Sequence, residues 1–364
     1  MNFANSTVSQ KQSNAERLMR CIIYSPHWLR TILLFVVKSA FYILTLAWGF
    51  RRCSFRLTGQ CEGLSIVERV TEWLYAFSYV SAATKNISRS SQLLNCQRMV
   101  TNVSLPQWLD KYIFSSLNAK YCRSNSDMSV IDWDKKDMLN YLGTYFPRSY
   151  TESYCIWSDW FRQACNGWGK KDTLSLFDFC CGTGGEIIGL LEATNENMPN
   201  IKKVTIYAFD GNQHALRLFE SIVNKYRSIL KFEIEYKILP FEIDDFYDLN
   251  LIDGLIDKQF DIILTFKAIC EFVTKERFEQ DNAYAHICKC FLPKLKVGGL
   301  MLLVDVTTYN CVSQEWLPQM LDKGIEEVHA HVVGKNVGYN QCFTVSHSKC
   351  LQDRSKVAWR LIMK

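Results

Sequence analysis

The segment LFDFCCGTGGE, residues 176–186, places an acid, Asp178, at the end of an apolar run and follows it at once with a glycine turn. Gly182 and Gly184 lack a β-carbon, so the backbone there can take positive φ and let a ligand approach closely. Asp178 can order that turn or meet a cationic amino group through a water. A second acid, Asp210 in YAFDGN, ends the next apolar run about thirty residues later, where a carboxylate would accept two ribose hydroxyls. Asp210 could instead cap the helix that follows.

Beyond a later apolar run, Lys267 and Glu271 are four residues apart, a spacing that sets them on one helical face if the segment is helical, for chemistry or as an exposed ion pair. Cys270 lacks the preceding proline of a pyrimidine C5-methyltransferase nucleophile and reads as a buried thiol. Tyr145, Tyr150 and Tyr154 precede the glycine segment, where they can close over a ligand or pack between domains. His214, Asp244 and Asp245 form no constellation.

These groups need a scaffold. Short apolar runs at Leu174–Phe179, Val204–Phe209, Phe232–Ile238, Phe260–Phe266 and Leu300–Val304 alternate with helical patterns, which predicts a parallel sheet with crossover helices. Glu327–Val333 and Lys356–Met363 are candidate final strands. Ala215, Leu216, Phe219, Ile222, Val223 and Tyr226 recur at helical spacing, with Asn212 as the expected cap. Earlier residues read mostly as helices, for example Leu64–Val80. The expected division is a tail and apolar helix at 1–60, a helical cap or substrate region at 61–170 and an α/β domain at 171–364.

With those elements set out, LFDFCCGTGG resembles the first motif of class I S-adenosylmethionine-dependent methyltransferases, YAFDGN their second, FDIILTF their fourth, and LKVGGLMLLVD the segment into their fifth strand. Cys180 stands where that superfamily usually has its first glycine. The resemblance implies a Rossmann-like α/β fold: a seven-stranded sheet with a reversed last strand. It implies S-adenosyl-L-methionine as cofactor, held by Asp178, Cys180, Gly182, Thr183, Gly184, Asp210 and Thr265. Gly184 is expected at the closest approach to that ligand. Nicotinamide dehydrogenases share the turn and the ribose acid, but they show three glycines at GxGxxG, and the spacing here is GTGG.

A narrower resemblance links NYLGTYFPRSYTE, FDIILTFKAICEF and VGGLMLLVDVTTYN to methyltransferase-like proteins of the mitochondrial small ribosomal subunit and their bacterial relatives. It implies an RNA or ribosomal partner. Cys342, His347 and Cys350 lack the spacing of those relatives' carboxyl-terminal metal cluster, so no metal is expected. Methyl transfer from a sulfonium is an in-line displacement that depends mostly on holding donor and acceptor about 3 Å apart. Where a proton must leave, Lys267, Glu271 and Tyr150 are the candidate catalytic groups. The acceptor can equally be RNA or a small molecule, and the alternative role is a cofactor-binding assembly or scaffold protein with little or no catalysis.

Composition sets looser bounds. The 364 residues are 48% apolar, with 42 basic against 37 acidic side chains and a formal charge of +5, which permits a nucleic-acid partner without demanding one. The 15 cysteines include no CxxC pair, and without a secretory pattern they read as reduced thiols of an intracellular, cytoplasmic protein. Residues 1–25, with Lys11, Arg17 and Arg20 against Glu16, share the bias of a mitochondrial transit peptide and of many polar tails. Thr31–Phe50 is long enough to cross a bilayer, and its apolar side chains contribute about −5 kcal/mol to insertion against about +3 for Lys38. It is expected either to anchor the chain in a membrane or to pack on the catalytic domain.

Overall fold

The computed structural model describes residues 99–123, 134–163, 168–243, 246–247, 254, 256–272, 282–310 and 314–364. The tail 1–25, the apolar run 31–50, the helix expected at Leu64–Val80 and the acids Asp244 and Asp245 lie outside them. Residues 97–364 belong to one compact unit, so the boundary expected near Lys170 falls inside it. Among the described residues no helix is long and apolar enough to cross a membrane.

In chain order the strands are β1 (Asn102–Ser104), β2 (Thr173–Phe179), β3 (Lys203–Asp210), β4 (Glu233–Pro240), β5 (Phe260–Phe266), β6 (Leu295–Val306), β7 (Tyr309–Asn310), β8 (Glu315–Trp316), β9 (His331–Lys335), β10 (Gln341–His347) and β11 (Cys350–Met363). The α-helices are α1 (Gln107–Lys111), α2 (Lys135–Thr144), α3 (Phe146–Gln163), α4 (Gly185–Asn197), α5 (Gln213–Arg227), α6 (Ile269–Phe272), α7 (Ala283–Phe291) and α8 (Leu317–Glu327). The main sheet runs β1-β10-β11-β6-β5-β2-β3-β4, with β9 added alongside β11. Strands β4, β3, β2, β5 and β6 are parallel, and β11 enters antiparallel between β6 and β10. That is the seven-stranded order with a reversed last strand implied above, extended by β1 and β9, which makes nine strands.

Period-two alternation divides the core into two layers. Leu174, Leu176, Ile262, Leu264, Leu300 and Leu302 face one way, against Trp157 of α3, Ile187 and Leu191 of α4, and Phe219 and Ile222 of α5. Phe177, Phe179, Ile263, Met301 and Leu303 face the other way, against Ile287 and Phe291 of α7 and Leu321 of α8. Asn212 caps α5, accepting from the backbone amides of His214 and Ala215. Asp134 does the same for α2, accepting from Lys136 and Asp137.

The carboxyl-terminal part departs from expectation. Glu327 closes helix α8, and the strand expected at Glu327–Val333 begins at His331. Leu317, Met320, Leu321, Gly324 and Ile325 are buried at helical spacing behind Pro318, and that stripe outweighs the β-branched residues after it. β11 starts at Cys350, ahead of the expected Lys356, because it pairs with β10 over its first half and then lies between β6 and β9. β10 had no counterpart in the expected strands, although Phe343, Val345 and His347 alternate as its buried residues.

Candidate functional site

The turn between β2 and α4 concentrates unusual backbone. Gly182 and Gly184 have φ of +51° and +76°, and Cys180, which has a β-carbon, is left-handed at +60°. Such a residue stores roughly 1–3 kcal/mol and persists where its surroundings fix it. Here the fixing group is Asp210, whose Oδ2 accepts from the Gly182 amide and whose Oδ1 accepts from the Asn212 amide, both at 2.7 Å. The carboxylate ties the glycine turn to the start of α5 and keeps lone pairs for further donors.

The two glycines have different neighbours. A β-carbon on Gly182 would lie 3.1 Å from the Tyr141 hydroxyl at the cleft, whereas one on Gly184 would lie 2.2 Å from Cδ2 of the buried Phe219. A side chain at Gly184 would thus meet the α5 core, and the close approach that requires glycine there is to Phe219.

The cleft holds about 610 Å³ of empty space, part of it open to solvent. Cys180, Gly182 and Asp210 form its floor, and Phe241, Ile243, Phe266 and Phe272 give it an apolar wall. Lys267 and Glu271 line the side beyond β5, and Met138 and Tyr141 of α2 line the opposite one.

Acids dominate the charge around it. Asp178 is fully buried and neither of its carboxylate oxygens has a hydrogen-bond partner. Burial, with Glu186 and Asp210 nearby, pushes its carboxyl well above the usual range. Glu186, buried in the first turn of α4, is raised to about 8 by burial, opposed by its own backbone amide and by Lys267 and reinforced by Glu152 and Asp210. Asp210 is raised by burial, against the two amides that bond it. Glu271 is raised to about 8 by its crowded surroundings, with Asp210 and Asp305 adding repulsion. More than a third of Glu271 nevertheless faces open space, where solvent screens part of that shift. Burial also pushes up the Cys180 thiol, which stays protonated and non-nucleophilic.

Lys267 and Glu271 do not share a helical face as expected. Lys267 precedes α6 with a left-handed φ of +54°, and its Nζ donates to Glu152 Oε2 of α3 at 2.8 Å. Glu152 is fully buried and its Oε1 has no partner. The interaction is thus a largely buried pair between α3 and the end of β5, not an exposed pair along a helix. Glu271 sits within α6, which is held by Asp305 Oδ2 accepting from the Cys270 amide at 3.2 Å and the Tyr284 hydroxyl at 3.0 Å.

Several expected residues lie away from the cleft. Tyr150 is buried beneath it and stacks on Tyr154 at 5.9 Å, and Tyr154 in turn donates to Glu196 of α4 at 2.7 Å. Tyr145 sits behind Tyr141, with ring centroids 5.0 Å apart. Asp178, Thr183, Glu186 and Thr265 are buried and, like Gly184, are not among the residues that line the cleft, and Thr265 Oγ1 has no partner. The aromatic group that faces the glycine turn is Tyr141, from the same NYLGTYFPRSYTE segment. Its phenol, pushed far up by burial and by Glu186, Glu271 and Asp210, remains a hydrogen-bond donor. Glu152 and Glu186 were not singled out in the sequence, since nothing in their spacing marks them. Among the described residues no group of His, Cys, Asp and Glu side chains could hold a metal ion.

Strand order, glycine turn and the acid at the end of β3 that bonds it together define a Rossmann-like α/β fold of the class I methyltransferase type. No family model and no curated protein sequence matches the chain. Similar solved structures include a candidate class I S-adenosylmethionine-dependent methyltransferase from Listeria monocytogenes, at 9% identity over 77% of this chain and 73% of that one, TM-score 0.38. Another is an S-adenosylmethionine-dependent methyltransferase from Clostridium acetobutylicum, at 16% identity over 58% and 91%, TM-score 0.31. A third is the rRNA methyltransferase AviRa from Streptomyces viridochromogenes, at 11% identity over 58% and 84%, TM-score 0.34. The fold assignment rests on the strand order and the turn.

Proposed function

We propose that this protein is an S-adenosylmethionine-dependent methyltransferase whose acceptor enters beyond the carboxyl ends of β5 and β6. The observation that carries the reading is Asp178, a fully buried carboxylate with both oxygens unpartnered under a glycine turn. A buried, unsatisfied carboxylate costs several kcal/mol unless a cation or donor reaches it.

The residues fit the cofactor part by part. Asp178 and Glu186 suit the ammonium end, Asp210 the ribose hydroxyls, and Phe241 and Ile243 the face of the adenine ring. Bound there, S-adenosylmethionine supplies an electrophilic methyl group on a cationic sulfur. The chain's own contribution is mainly placement. Tyr141 and Met138 cover the glycine turn and limit the access of water, while the Lys267–Glu152 pair fixes the wall beside β5. Glu271 faces the cleft with a carboxyl raised to about 8, and its ionised form would take the proton that an acceptor N–H or O–H loses as the acceptor lone pair forms the new bond to carbon and the carbon–sulfur bond breaks.

The test is incubation of the full chain with tritium-labelled cofactor and a cell extract, then separation of RNA, protein and small molecules. Label transferred to one fraction, and lost with Asp178→Asn, supports the proposal. Saturable cofactor binding with no transfer to any fraction contradicts it and leaves a binding protein.

A further inference from the structure

We infer that Tyr309, Trp316 and Tyr339 form a stacking platform for the bases of single-stranded nucleic acid on the edge of the sheet that carries the cleft. That such a strand is also the methyl acceptor rests on the function proposed above.

The three rings are 45%, 43% and 41% exposed, and they touch one another. Trp316 meets Tyr309 at 5.1 Å and Tyr339 at 5.5 Å between centroids, edge to face in both cases. Val337, two residues before Tyr339, is 94% exposed. Single exposed apolar residues are ordinary, but a contiguous aromatic group marks a binding surface.

The group is held rigidly. The Tyr339 hydroxyl donates to the Thr307 carbonyl at 3.0 Å, and β7 pairs with β8 at Tyr309 and Trp316. Asn336 fixes the loop before Tyr339: its Nδ2 donates to the Gly338 carbonyl at 2.9 Å, and its Oδ1 accepts from the Trp359 amide at 2.9 Å and Arg360 Nη1 at 2.7 Å. Rings ordered in advance bind a flat partner with little entropy loss.

Position and charge select the partner. Tyr309 lies four residues, at most ~14 Å of chain, beyond Asp305, whose carboxylate holds the helix that carries Glu271. Glu315, next to Trp316, is neutralised by Lys323. From Glu327 to Asp353 the chain contains no intervening acid, while Lys335 lies within that stretch. Val357 pairs with Val306 at the end of β6, so the first half of β11 extends past this edge. Arg354 and Lys356 alternate there on one exposed face. Exposed rings on a part of the chain that also exposes Lys335, Arg354 and Lys356 match an unpaired, phosphate-bearing strand.

The test is fluorescence anisotropy of labelled oligouridine and oligothymidine with the full chain across a salt series, with a duplex as control. The expected result is salt-sensitive binding that prefers the single strands. Trp316→Ala should weaken it about tenfold or more, and Arg354→Ala and Lys356→Ala should each lower the salt slope by about one. Because the Trp316 backbone also caps α8, the exposed Val337→Glu serves as a second variant that should weaken binding without disturbing the fold. Equal affinity for the duplex, no binding, or unchanged affinity in both Trp316→Ala and Val337→Glu would overturn the platform. Calorimetry with S-adenosylmethionine on the same samples keeps the two readings apart: loss of oligonucleotide binding with cofactor binding intact removes the platform alone, and the converse removes the methyltransferase reading alone.

Discussion

Asp178 and Asp261 are buried aspartates on neighbouring strands, at opposite edges of one sheet, and their surroundings could hardly differ more. Asp261, at the amino end of β5, accepts from Lys171 Nζ at 2.5 Å, Lys296 Nζ at 2.7 Å, and the Ser175 amide and hydroxyl at 2.9 and 2.8 Å. Burial works to raise its carboxyl, but those donors outweigh it and hold it below the usual range. Asp178, at the carboxyl end of β2, has no donor and is pushed up. A folded chain satisfies most of the buried charges it uses for structure, so a carboxylate with neither oxygen satisfied is the place where the proposed ligand is to be tested. The strained Cys180 and Lys267 lie at that same edge.

The largest effect expected at the carboxyl edge is structural. Gly184→Val must fit a side chain against Phe219 at positive φ, which should cost about 3–5 kcal/mol, the sum of overpacking and backbone strain. Urea denaturation checks it, and a mutant of wild-type stability would show that Phe219 yields easily. Next, Asp261→Ala should remove about 2–3 kcal/mol by stripping two lysines and Ser175 of their acceptor, with cofactor affinity unchanged. A loss of affinity there would break the distinction between the two edges.

Smaller effects follow from pH. Glu186, raised from 4.5 to about 8 in the folded state, binds its proton more tightly folded than unfolded, so its contribution to stability falls as pH rises through that window. Asp261 behaves oppositely: its contribution is present above the ordinary carboxylate range and disappears as pH falls below it. Thermal unfolding between pH 5 and 8 should therefore show declining stability in wild type and a shallower decline in Glu186→Gln. Equal slopes would remove Glu186 from the account.

What could be read from the sequence follows from how locally each feature is encoded. The parallel strands, Asn212 as cap, and the pairing of the glycine turn with Asp210 depend on short-range periods and on residues at strand ends. Tyr141 reaches the cleft and Glu152 meets Lys267 only because α2 packs on α3 and α5 and α3 packs on α4, a tertiary event that their own helical patterns do not announce. Lys267 misled the helical spacing argument because its left-handed backbone precedes α6. The spacing around Gly184 does not reveal that Phe219 lies behind the turn.

The central claim is that Asp178 is left unsatisfied in order to hold a cationic cofactor. Calorimetric titration of S-adenosylmethionine into wild type, Asp178→Asn and Asp261→Ala tests it directly. The account predicts saturable binding by wild type, an unchanged constant for Asp261→Ala, and an affinity about tenfold or more weaker for a folded Asp178→Asn, the cost of losing a charged acceptor. Wild-type affinity in Asp178→Asn would contradict it.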